Sequence, residues 1–143
     1  MVTLNPYLNF DGNCREAFEF YASVFGGRAD IQTVGQSPMA DQATPETKDR
    51  VLHARLPIGN TELMASDAPV DGFESMRGFA VSIQVDAAAD ADRVFKALSE
   101  GGSVSMPIQE TFWAERFGMC VDRFGTPWMV NCSKAMAGAT TPP

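Results

Sequence analysis

The chain has 143 residues, 45% of them apolar, which is enough for a substantial core. Its net charge of −7 comes from 18 acidic against 11 basic residues, the basic ones scattered singly; this excludes a phosphate-binding stripe and, with it, a nucleic-acid partner. No run approaches the ~20 apolar residues of a membrane span, and the opening MVTLNPYLNFDG lacks the basic-then-apolar order of a signal peptide.

Residues 3–10 alternate Leu4, Pro6, Leu8 and Phe10 with Asn5, Tyr7 and Asn9, predicting a strand with one apolar and one mixed polar face. Pro6, which has no N–H to give, assigns that strand to an edge or to a non-bonding side. Asn13 stands as an N-cap with Glu16 three residues on, the capping-box spacing. The helix runs to Phe25 and stops at Gly26-Gly27, which enter left-handed conformations without strain. A short strand follows over 28–35. The segment 36–49 (QSPMADQATPETKD) is polar, holds two prolines and has no period; it reads as a mobile loop and a candidate lid. Residues 50–58 place Leu52, Ala54 and Leu56 on one face and His53 and Arg55 on the other. Gly59-Asn60 turns the chain into a return strand from Thr61 to Asp67, and Ala68-Pro69 begins a linker through Gly72 to about Met76.

The second half predicts a strand over 78–85, a helix over 88–99, strands over 103–111 and 116–122, and a turn at Gly125-Thr126 into a last strand, Pro127 to Cys132. Residues 134–143 (KAMAGATTPP) lack an apolar pattern and are expected to fray. The order strand, helix, strand, hairpin therefore occurs twice, over 3–67 and 77–132. The helix cores Ala17, Phe20, Tyr21, Val24 and Ala91, Val94, Phe95, Leu98 correspond, and each helix runs into a Gly pair. The expectation is one α+β domain over 1–133, built from two tandem βαβββ modules that pair into a cupped surface.

The runs YLNFDGNCREAFEFYASVFGG, HARLPIGNTELMASDAP and RFGMCVDRFGTPWMVNC together resemble the PhnB-like branch of the vicinal oxygen chelate superfamily, which holds glyoxalase I, bleomycin-resistance proteins and extradiol dioxygenases. The resemblance covers about Leu4 to Cys132. It implies the glyoxalase/bleomycin-resistance/dioxygenase-like fold, with a U-shaped cup and a divalent metal held by His, Gln and Glu from the first and last strands of each module. Carried over one at a time, those positions fall on Tyr7, Ala80, Met129 and Leu63, or Ala65 if the hairpin slips by two. Alanine, leucine and a thioether do not make the N/O shell such metals need, so no metal and no cofactor are expected. The branch is often labelled 3-demethylubiquinone-9 3-methyltransferase, but no Gly-rich turn follows a strand here to cradle a nucleotide-bearing methyl donor.

His53 is the sole histidine and shares a strand face with Arg55, a pair suited to a carboxylate or phosphate, with His53 as a candidate general base. Tyr7, Asn9, Gln84, Gln109, Trp113 and Asn131 fall on faces assigned inward, and amides with aromatics suit a planar, partly polar ligand. Glu62 alternates away from Leu63 and reads as solvated surface; Asp67 and Asp122 read as turn residues. Phe18, Phe20, Tyr21, Phe25, Phe95 and Phe117 sit at core spacing. Cys14, Cys120 and Cys132 form no CxxC pair, which fits a reducing, cytoplasmic setting, and none has an adjacent base that would make it a nucleophile. The expected function is metal-free binding or sequestering of an anionic or planar small molecule by a homodimer; the alternative is a metal-dependent lyase, isomerase or dioxygenase.

Overall fold

The break between the two sequence repeats is also a break in the packing: in the computed structural model, which describes residues 1–134, one unit ends at Met76 and the next begins at Arg77. Each unit realises the expected order of elements.

In the first unit, strand β1 (Tyr7–Phe10) leads into helix α1 (Cys14–Phe25), followed by β2 (Asp30–Thr33), β3 (Val51–Ile58) and β4 (Thr61–Asp67). The sheet order is β1-β4-β3-β2, with β1 and β4 parallel and the other pairs antiparallel. Leu8, Phe10, Ala54, Leu56, Leu63 and Ala65 are buried, as are Cys14, Ala17, Phe18, Tyr21 and Val24 of α1. Phe10 meets Phe18 edge-on at 6.3 Å, and Phe18 meets Tyr21 at 5.7 Å. Each such side chain contributes about 1.5–3 kcal/mol by leaving water. Ala17, Phe18, Tyr21 and Val24 are buried as expected; Cys14 joins the stripe, and Phe20 is only half-buried.

Three local features differ from expectation. The first strand is shorter, and Leu4 is 85% exposed; its edge position holds, with Met64 N donating to Pro6 O at 3.0 Å. Asn13 stands at the helix start without a side-chain cap bond. Asp67, from the far end of β4, does that work instead: Oδ1 accepts from Gly12 N (2.9 Å) and Cys14 N (3.1 Å), and Oδ2 accepts from Val51 N (2.8 Å). A carboxylate at a helix N-terminus is favoured by both its bare N–H groups and its dipole. Finally, the β2–β3 ladder steps from Gln32–His53 to Thr33–Val51, skipping Leu52. This bulge buries Val51 and leaves Leu52 half-exposed, off the apolar face assigned to it.

The helix stops where Gly26 and Gly27 take φ of +83° and +90°. The strand expected over 28–35 ends at Thr33 in a 3-10 turn, Val34–Gln36, and the segment 36–49 expected as a mobile loop contains a second, Ala40–Gln42. Thr33 and Gln36 cap the first turn reciprocally, and Thr44 and Thr47 bond each other's backbone N–H groups.

The second unit comprises β5 (Val81–Gln84), helix α2 (Ala88–Ser99), β6 (Ser103–Gln109), β7 (Ala114–Val121) and β8 (Pro127–Ser133), in sheet order β5-β8-β7-β6 with β5 and β8 parallel. Ala91, Val94, Phe95 and Leu98 of α2 are buried, as expected. Gly118 on β7 lies directly beneath the helix: a Cβ there would stand 2.7 Å from Phe95 Cε2 and 3.0 Å from Ile108 Cα. Asp122, read as a turn residue, is 3% exposed and is more than that. Its Oδ1 accepts from Phe124 N (2.9 Å) and Thr126 N (3.0 Å), and its Oδ2 from Trp128 Nε1 (2.8 Å), tying the hairpin to the core indole. The expected fraying of 134–143 falls, beyond Lys134, outside the described residues.

Candidate functional site

Strand alternation gives each sheet one face toward its own helix and one open face. In the first unit the open face carries the transverse row Tyr7–Met64–Arg55–Asp30, and beside it the pairs Asn9–Ser66 and His53–Gln32. Tyr7, Asn9, His53 and Arg55 are thus brought to one face, as expected. Tyr7 and His53 stack at 5.9 Å and 29°, with Tyr7 Oη 3.4 Å from His53 Nδ1. Ser66 Oγ donates to Asn9 Oδ1 at 3.4 Å. Arg55 carries a partner of its own on this face. It pairs with Glu62, whose backbone N–H donates to Asn5 Oδ1 at 3.0 Å, so Glu62 is not free surface either.

In the second unit, β7 residues 116, 118 and 120 face α2: Arg116 Nε lies 3.1 Å from Asp92 Oδ1, and Gly118 underlies Phe95. The alternate residues form the open face. Across it runs the row Gln84–Asn131–Phe117–Gln109, one residue from each strand. Asn131 Nδ2 donates to Gln84 Oε1 at 2.8 Å and to Ser133 Oγ at 3.1 Å. Trp113, in the β6–β7 turn, packs edge-on to Phe117 at 5.2 Å and is 43% exposed. Gln84, Gln109, Asn131 and Trp113 were expected inward and occupy one neighbourhood. Phe117 was expected as core: it is buried, 7% exposed, but on the face opposite α2. Its alternation with Gly118 was the signal for that.

The metal-bearing positions need correction. Leu63 and Ala65 are buried on the α1 side of their sheet, and Ala80 precedes β5. Moving one residue along a strand inverts the face, and the open-face residues are Met64, opposite Tyr7, and Ser82, opposite Met129. A phenol, two thioethers and a hydroxyl do not fit the imidazole–carboxylate shell of a divalent metal site. Among the described residues no three His, Cys, Asp or Glu side chains gather at ligating distance.

All three cysteines are buried. Burial, then the Asp67 carboxylate, pushes the Cys14 thiol up to about 12; burial, then Asp122, pushes Cys120 up to about 11. Burial and Glu115, whose Oε2 lies 3.7 Å from Sγ, raise Cys132 as well. Thiols held protonated are poor nucleophiles. Among the described residues no helix is long and apolar enough to cross a membrane.

Two βαβββ units with mixed four-stranded sheets define a protein of the vicinal oxygen chelate fold. The fosfomycin resistance protein FosX from Listeria monocytogenes shares that fold at a TM-score of 0.64, with 94% of this chain and 96% of that one covered; at 8% identity this is a likeness of fold alone. Within that class the chain belongs to the PhnB-like family, whose model, described as 3-demethylubiquinone-9 3-methyltransferase, matches residues 3–131. Protein YjdN of Escherichia coli K12 is 34% identical over 93% of this chain and 97% of its own length. The crystal structure of protein PA1353 from Pseudomonas aeruginosa is similar at a TM-score of 0.87 and 46% identity, covering 94% of this chain and all of that one.

Proposed function

We propose that this chain is a small-molecule binding or sequestering protein that works without a metal, and that its ligand lies on the row Gln84–Asn131–Phe117–Gln109 beside Trp113. The row itself carries this reading: three amides interrupted by a phenyl ring, on the sheet face its helix leaves open. Such a surface offers apolar area with a few directed polar groups, the make-up of small-molecule sites. Two of the amides are already bonded to each other, so less ordering is left to be done on binding. The thioether and hydroxyl side chains at the metal-bearing positions favour binding over metal-assisted chemistry.

The family's description names a methyltransferase, and we do not extend that activity to this chain. The N–H groups of Gly12 and Cys14, in the turn from β1 into α1, are taken by Asp67 and are not presented to a methyl donor. The test is a thermal-shift screen of neutral and anionic aromatic metabolites, with and without EDTA, on the parent and on Gln84→Ala and Gln109→Ala. A ligand at 100 times its Kd adds about 2.7 kcal/mol, a shift of a few degrees. The expected hits survive EDTA and weaken several-fold in both variants. Stabilisation that vanishes with EDTA and returns with Zn or Mn would overturn the proposal.

A further inference from the structure

Asn131 is 8% exposed, and its amide is only partly paired. Nδ2 spends both hydrogens, on Gln84 Oε1 and Ser133 Oγ. Oδ1 is buried, and among the described residues nothing donates to it. A bare buried carbonyl costs stability, and a leucine of similar volume would avoid that cost. The unpaired oxygen sits in the row between Gln84 and Phe117, with Trp113 packed against Phe117. Every side chain of the row is uncharged, and a charged ligand group against a buried amide would lack a counter-ion.

We infer that Asn131 Oδ1 is the acceptor for an N–H or O–H on the ligand. The ligand class is an uncharged planar molecule with a donor on its edge, a lactam or cyclic amide, lying against Phe117 and Trp113. This rests on the binding reading above and narrows it, since it replaces the anionic ligand expected from His53 and Arg55. One bond of this kind is worth about a factor of ten.

The test uses the 15N-labelled full chain and two probes, quinolin-2(1H)-one, which has the N–H, and 1-methylquinolin-2-one, which does not. Binding is followed at the Asn131 side-chain amide and the backbone amides of β5 and β8. The N–H probe should bind the parent about tenfold more tightly than the N-methyl probe. In Asn131→Leu the ratio should fall to about one, through loss of affinity for the N–H probe alone. Ligand-free Asn131→Leu should melt no lower than the parent, which a purely structural role would not allow; Asn131→Met serves if the leucine variant fails to fold. Discrimination that persists in the variants would overturn the inference. So would equal binding of both probes on β5 and β8, which would mean that water satisfies Oδ1 and would leave the binding reading standing. If neither probe shifts these amides at millimolar concentration, the binding reading falls and the inference with it.

Discussion

Replacing Asp122 with Asn keeps the side chain's volume and changes what three donors meet. In the parent, Oδ1 accepts from Phe124 N and Thr126 N and Oδ2 from Trp128 Nε1, in a site 3% exposed. With Asn, the indole N–H faces an amide N–H and loses a charge-assisted bond of about 1.5–3 kcal/mol. The two backbone bonds persist to a neutral oxygen and weaken. The total loss expected is about 2–4 kcal/mol, rising to about 4–5 for Asp122→Ala, which removes the acceptor of all three bonds. Urea unfolding followed by far-ultraviolet circular dichroism measures this without relying on the altered indole. A double-mutant cycle with Trp128→Phe isolates the indole bond, with an expected coupling of about 1.5–3 kcal/mol. A loss below about 1 kcal/mol for Asp122→Asn, or no coupling, would refute the assignment of Asp122 as a structural tie.

Gly118→Ala places a methyl group 2.7 Å from Phe95 Cε2 and against the Ile108 backbone; thermal melts should show a loss of about 1–3 kcal/mol, partly restored by Phe95→Leu. Arg55→Ala removes a partly exposed pair with Glu62, so stability should fall by less than about 1 kcal/mol and affinity for anionic metabolites should not change in calorimetric titration. Cys14 and Cys120 titrate at about 12 and 11 when folded, above their ordinary value of 9.0. The folded state therefore keeps its protons longer: the contribution is complete below pH 9 and is lost as pH rises through 11 to 12. The urea midpoint should decline over that window, and less so in the Cys14→Ala, Cys120→Ala double variant.

Both helices, the Gly stops and every strand could be read from period and punctuation, because those signals are local. Leu52 was misplaced because a bulge depends on the partner strand β2, which pairs His53 and Val51 but passes over the residue between them. Asp67 and Asp122 were underestimated for a related reason. Asp67 bonds backbone 53 and 55 residues away, and no spacing rule reaches that far. In the candidate site, Gln84, Gln109 and Asn131 were chosen by alternation alone, and the strand register then set them in one row. Phe117 sits at core spacing in the sequence, and only its alternation with Gly118, which packs under Phe95, tells which side of the sheet buries it. The Arg55–Glu62 pair was not legible because Glu62 lies across a hairpin from Arg55, and alternation alone reads Glu62 as solvated surface.

Native mass spectrometry of the protein, isolated from its own cells without metal-chelate resin or chelator, tests metal-free binding most directly, because one spectrum weighs both organic and metal adducts. The prediction is an organic adduct at one per chain, no stoichiometric divalent metal, and loss of the adduct in Asn131→Leu. One equivalent of Zn, Ni, Mn or Fe retained per chain, or no organic adduct, would contradict metal-free binding; an adduct that Asn131→Leu leaves intact would contradict the role of Asn131 alone.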